Sequence, residues 1–252
     1  MSKHNAISND KLVGGVLLGA VASGLALTAL SGAGTAGATC ASISGVGNGG
    51  GCISTPTSFA IGLGPNTTAT ADGLFTGAIA NGITNGVTDT TVASSKGALS
   101  LAYAGGKNTQ ATTVGNLNVA VVQGQATANG FPVTAFAGVT PGDIGNIAIN
   151  IGTRTGSNFN SAVAAGTGNI AVNIGNETGA GFENAQAYGT GNSAFNIGDN
   201  NIVFAGDSGS PATFSSAFNV GGSNNTVHAG PGPFNIAGLI NQTGKNVLNN
   251  IH

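Results

Sequence analysis

The chain is short of charge before anything else. Only 6% of its 252 residues are Asp, Glu, Lys or Arg, against roughly a quarter in an ordinary globular domain. It has no Trp, two Tyr, three His and two Cys. Each scarcity excludes a class of function. Six Lys and Arg in all cannot form the basic stripe that grips a phosphate backbone, so nucleic acid is not an expected partner. The same sparseness leaves no patch for an anionic membrane surface. The want of aromatic residues speaks against the girdles of a membrane-spanning β-barrel. Calcium-binding solenoids repeat an Asp in GGxGxD form, and no such ladder occurs. Gly-rich runs such as GTGN lack the Lys of a phosphate-binding loop.

Nucleophilic catalysis meets the same limit. GDSGSP at 206–211 resembles the nucleophile stretch of chymotrypsin-like serine proteases, which would make Ser208 the attacking hydroxyl. That chemistry needs His, then Asp, then Ser in chain order. Here only His4 precedes Ser208, while His228 and His252 follow it, and the Gly of a G-x-S-x-G elbow is replaced by Ser210. The carboxylates are scattered; Glu177 and Asp199 make the best pair, and both read as solvated loop charges. No catalytic, cofactor-binding or metal-ligating residue is assigned.

The beginning of the chain reads as an export signal. Lys3, His4 and Lys11 precede an uncharged run from Leu12 to Leu30, and Ala36-Gly37-Ala38 closes it. This order predicts a signal peptide over 1–38 and a mature start at Thr39; a retained anchor is the competing reading. The mature chain would then be 39–252, with no integral membrane span. Four basic and seven acidic side chains give it a net charge of −3. Cys40 and Cys52 are expected to form a disulfide closing a Gly-rich loop, since an even Cys count in an exported chain favours pairing.

What the chain has in abundance is Gly, which occurs 45 times, and Asn. These are arranged. NIAINIG at 146–152 returns as NIAVNIG at 169–175, NSAFNIG at 192–198 and SSAFNVG at 215–221, with a constant period of 23. Ala148, Ala171, Ala194 and Ala217 form one invariant column, Asn150, Asn173, Asn196 and Asn219 a second, and Gly152, Gly175, Gly198 and Gly221 a third. A fainter period of 21 upstream aligns Thr67, Thr88 and Thr109, and Thr70, Thr91 and Thr112. Within each copy, apolar residues alternate, which predicts short strands; the following Gly and Asn predict turns. Strand and turn repeated at constant length describe one coil of a stack. The expected fold is therefore all-β, a parallel β-helix-like β-solenoid with coils of about 21–23 residues. Columns such as Ile149, Val172, Phe195 and Phe218 are expected to fill its core. The Asn column is expected to form an inward amide ladder.

Boundaries follow: signal peptide 1–38, disulfide cap 39–57, degenerate repeats 58–140, 23-residue repeats 141–240 and a C-terminal cap 241–252. Runs such as NIGNETGAG, NIGDNNIVF and NVGGSNN resemble the Asn/Gly repeats of mycobacterial secreted and cell-surface proteins. The likeness is to the repeat arms of PPE proteins and more loosely to PE-PGRS arms, over roughly 146–225. The helical domain of those families has no counterpart here. The resemblance implies an extracellular or envelope setting and carries over no site residue. The expected function is a non-enzymatic secreted or envelope structural and surface-display protein, adhesive in character. Its partner is unnamed, an envelope or host-surface component. A channel-forming β protein is the main alternative and a polysaccharide-acting solenoid enzyme the minor one.

Overall fold

A computed structural model describes residues 40–83, 89–127, 131–179, 181–206 and 208–249. The signal segment, Thr39, Thr88, Asp207 and His252 lie outside the described residues. Among those described, every regular element is a β-strand. The strands build two sheets that the chain visits in alternation, pairing almost throughout in parallel with the coil before and the coil after. The protein is a β-solenoid.

The first sheet runs from Phe59–Leu63 through Gly77–Gly82, Leu101–Lys107, Val119–Ala126, Ile147–Arg154, Ile170–Ile174, Ser193–Asp199 and Ser216–Ser223 to Ile236–Ile240. The second runs from Cys52–Ser54 to Asn246–Asn249. A short coil is a step of 18, as where Ser100 bonds to Asn118 and Leu101 pairs with Val119. In that coil each corner has a glycine at positive φ followed two residues later by a left-handed non-glycine residue, Gly106 with Asn108 and Gly115 with Leu117. Longer coils keep these strands and lengthen a corner. The strong copies are spaced by 23 on the first sheet, Ile147 to Ile170 to Ser193 to Ser216.

Upstream, the 21-residue register is corrected. Coil length there alternates between 18 and 24, since Phe59 pairs with Gly77, Gly77 with Leu101 and Leu101 with Val119. The average over two coils is 21, which is the spacing visible in the letters. The true column is Thr67, Thr91, Thr109, and Thr70 stacks on Ser94 rather than on Thr91. The strands on either side keep their pairing through both step lengths.

The interior also corrects the sequence reading. Ala148, Ala171, Ala194 and Ala217 are fully buried, as are Asn150, Asn173, Asn196 and Asn219, whereas Ile151, Ile174, Ile197 and Val220 are 38–44% exposed. The alternation is real but inverted: Ile, Val and Phe point outward. Across the core, Ala162, Ala164, Ala185 and Ala187 of the second sheet are likewise buried. Alanine facing alanine cannot fill the ~10 Å gap of ordinary packed sheets, so the two sheets close on one another, and among the described residues no apolar side chain larger than Val is buried between them.

Closeness of successive coils explains Gly152 and Gly175 in the Gly column, whereas Gly198 and Gly221 sit at φ +139° and +76°. Gly152 and Gly175 do not adopt left-handed angles, so turn conformation is not their reason. A Cβ on Gly152 would lie 1.7 Å from the carbonyl oxygen of Gly175, and one on Gly175 would lie 2.0 Å from that of Gly198. Backbone stacks on backbone here, with no space for a methyl group.

At the N-terminal end, Cys40–Ile43 pairs antiparallel with both Val46–Gly47 and Phe59–Leu63, and Cys40 is bonded to Cys52. This reversal caps the ladder. At the other end the expected cap is instead a further rung: Asn246–Asn249 continues the second sheet in parallel with Thr226–Ala229.

Candidate functional site

Buried amides form three columns, of which the sequence reading saw one. In the first sheet, Asn173 Nδ2 donates to Asn150 Oδ1 at 3.0 Å, Asn196 Nδ2 to Asn173 Oδ1 at 2.9 Å and Asn219 Nδ2 to Asn196 Oδ1 at 3.1 Å. The second column stands at the corner entering that sheet: Asn118, Asn146, Asn169, Asn192, then Ser215 and Asn235, all buried. Each Oδ1 from Asn118 to Asn192 accepts the next coil's backbone N–H, at 2.8–3.0 Å. Their Nδ2 groups donate to corner carbonyls, as from Asn169 to Ala165 and Gly189. These residues satisfy backbone groups that a sharp corner would otherwise leave unpaired, a cost of about 1–3 kcal/mol for each if unmet. The sequence signal was present, since Asn146, Asn169 and Asn192 open the repeat at the same 23-residue spacing.

The third column, at the opposite corner, contains Asn160, Glu183, Asn201 and Asn225, all buried. Glu183 pairs in register with Asn160 and takes over an amide's role. Asn160 Oδ1 accepts from Asn173, and Glu183 Oε1 accepts from Asn196 in the next coil. Glu183 Oε2 accepts the N–H of Asn201 at 2.9 Å. Burial pushes the carboxyl from 4.5 up to about 9, the charge of Asp199 adding to this and the N–H of Asn201 opposing it. Burial thus favours the neutral acid at Glu183 around neutral pH, while both of its oxygens accept N–H groups within the column.

Glu177 is also buried, contrary to its reading as a solvated loop charge. It forms a β-bridge with the buried Arg154 one coil away, and its Oε2 accepts the N–H of Gly156 at 2.9 Å. Arg154 Nη1 donates to the carbonyls of Gly156 and Asn158 at 2.7 and 3.3 Å. Asp199 accepts from the backbone and side chain of Asn176. Asp143 is buried as well. Burial raises its pKa, but hydrogen bonds from the Thr140 hydroxyl and from the N–H groups of Val139 and Thr140 outweigh this and hold it below the ordinary value. Glu177 and Asp143 serve backbone satisfaction inside the coil wall, and Asp199 does so at its exposed surface.

Ser208 is exposed in the corner segment between Ile202–Ala205 and Ala212–Thr213. His228 stacks in register on Phe204 in the second sheet, its ring edge-on at 5.9 Å.

The outer faces are the remaining candidates, and they differ. Three outward positions per strand of the first sheet carry Ile, Val, Leu or Phe for the most part, such as Ile147, Ile149 and Ile151, then Ile170, Val172 and Ile174. None of these outward positions, from Phe59 to Ile240, is charged. The second sheet shows Thr68, Thr70 and Asp72, then Val92, Ser94 and Lys96, then Gln110 and Thr112. Phe131, Phe159 and Phe182 form an exposed ring stack at a corner, with centroids 4.3 and 6.5 Å apart. No protein family, curated protein or solved structure matches the chain.

Proposed function

We propose that the chain is a non-enzymatic, exported structural rod of the cell envelope or its surroundings, which presents two flat faces for display and adhesion. One observation carries this reading: the first sheet keeps a largely apolar outer face from coil to coil, the second opens on a Thr/Ser-rich outer face that gives way to Phe136, Tyr188 and Phe204, and Glu177, Glu183 and Arg154 are spent inside the wall. The Cys40–Cys52 disulfide fits an oxidising compartment. No helix among the described residues is long and apolar enough to cross a membrane. The resemblance to mycobacterial Asn/Gly repeat arms points the same way.

The rod is favoured over a channel by the wall itself. Membrane barrels are antiparallel and enclose a lumen or plug, whereas these strands are parallel and their inward side chains are in contact across a closed core.

Fractionation of producing cells tests the reading. The chain is expected in the culture fluid or the envelope fraction, with no titratable thiol. Recovery from the cytoplasm with both cysteines reduced would overturn it. So would labelling by a fluorophosphonate probe that is lost in Ser208→Ala.

A further inference from the structure

We propose that the apolar face of the first sheet is the interface of a homodimer, each chain laying this face on that of a second copy. The inference goes beyond the display rod and does not depend on it: the apolar face adheres to a second copy, and display to other partners falls to the second sheet.

Size comes first. Nine parallel strands from Phe59–Leu63 to Ile236–Ile240 span about 38 Å at ~4.8 Å per step, and the outer columns lie ~13 Å apart. Two such faces in contact bury at least ~1,000 Å², the threshold for a specific interface, before side-chain relief is added. Exposed apolar areas of this extent mark interaction sites.

Shape and chemistry name the occupant. β-Branched side chains on a regular sheet are stiff, and two such sheets interdigitate face to face as in a sandwich. A second copy supplies the matching spacing by construction, and a twofold pairing closes without leaving a further sticky face. A lipid surface fits less well. Interfacial binding draws on Lys, Arg and Trp beside the apolar side chains. The three outward columns of this face carry no charge, Lys107 and Asp199 only close two of its strands, the chain has no Trp, and Arg154 is buried.

The backbone adds an independent observation. Two residues ahead of the strands of this face, the corner is turned by a left-handed residue. In three coils it is Gly145, Gly168 or Gly191, but in five it is Phe75, Leu99, Leu117, Phe214 or Phe234, at φ of 51–59°. Bulky residues rarely adopt this conformation. Here they do so while 54–67% exposed, when Gly serves the same corner without strain. Strained, exposed and apolar, they border the face and widen it, and Phe214 stacks on Phe234 at 5.8 Å.

The test is sedimentation and light scattering of the chain as purified from its producing cells, in detergent-free buffer. Measurements run up to about 100 μM, above the weak end of interfaces of this kind. The wild type is expected to be a dimer. Ile149→Lys, at the centre of the face, is expected to weaken association by at least ~100-fold, since it leaves a charge unpaired in a dry contact. Ile149→Thr with Val172→Thr keeps β-branching and is expected to weaken it less, with unchanged circular dichroism. Thr112→Lys on the opposite sheet is expected to leave the dimer intact. A monomeric wild type overturns the proposal, as does association that survives in both face variants while they remain folded. Co-sedimentation of a monomeric wild type with phosphatidylcholine vesicles, lost in the face variants, would assign the face to lipid instead.

Discussion

Asn173 and Asn176 stand three residues apart in one coil and differ in what can replace their partners. Asn173 is buried between Asn150 and Asn196, and its loss strands amides on both neighbours. Asn173→Leu is therefore expected to cost about 2–6 kcal/mol, two unsatisfied groups at ~1–3 each. Asn176 is half-buried but not idle: its Oδ1 accepts from Thr153 N–H at 2.9 Å and from the Thr153 hydroxyl at 2.7 Å. Water can reach these groups, so Asn176→Leu is expected to cost less, on the order of 1 kcal/mol. Denaturant midpoints of the two variants decide it, and equal midpoints would remove the ladder from the stability account. Glu183 carries a pH signature. Its folded-state pKa of about 9 lies above the ordinary 4.5, so the stability it contributes is complete below pH 4.5 and is lost as pH rises through 9. Within that window the slope is at most ~1.4 kcal/mol per pH unit. Glu183→Gln keeps a donor and an acceptor and should flatten the profile measured at pH 5, 7 and 8.5; an unaltered slope would place its origin elsewhere. The substitution of an acid into the amide column was legible at the 23-residue spacing from Asn160. Its protonation was not, because that follows from burial.

At the scale of one coil, the repeat announced strands, corners and invariant columns, and all of these are present. Direction was the part left unread. Ala and Ile are both apolar, so the alternation Ile-Ala-Ile-Asn-Ile has two self-consistent readings, and hydrophobicity alone favours the wrong one. Volume decides, through the distance between sheets, which no single coil reveals. The upstream register failed for a related reason: alternating steps of 18 and 24 average to 21, and Thr recurs often enough to fill a false column. Glycine yields the sharpest expectation at this scale. Gly175→Ala would set its methyl carbon 2.0 Å from the Gly198 carbonyl oxygen, and the rung must open to admit it. A loss of at least ~3 kcal/mol is expected, at the upper end for overpacking. Gly142→Ala, where a Cβ meets nothing within 4 Å, serves as the tolerant control. Comparable thermal midpoints for the two would mean that the coils are not in backbone contact.

Taken as a whole molecule, the solenoid keeps its methyl groups and amides inside and much of its Ile, Leu and Phe outside. That partition has a calorimetric consequence. The heat capacity of unfolding rises with apolar surface newly exposed and falls with polar surface newly exposed. Here the large apolar side chains of the first sheet are already wetted in the folded chain, while unfolding releases columns of buried amide. The increment per residue should then fall below the usual ~12–15 cal/mol/K. A lower heat capacity bends the stability curve less, so free energy should change slowly with temperature and cold denaturation should recede. Scanning calorimetry reads this directly on the dissociated Ile149→Lys form, where no interface hides apolar surface. An ordinary increment there would mean that the outward Ile and Phe columns are covered even in the single chain. A flat curve would mark a protein that holds its shape through wide swings of temperature by stacking hydrogen bonds rather than by hiding oil.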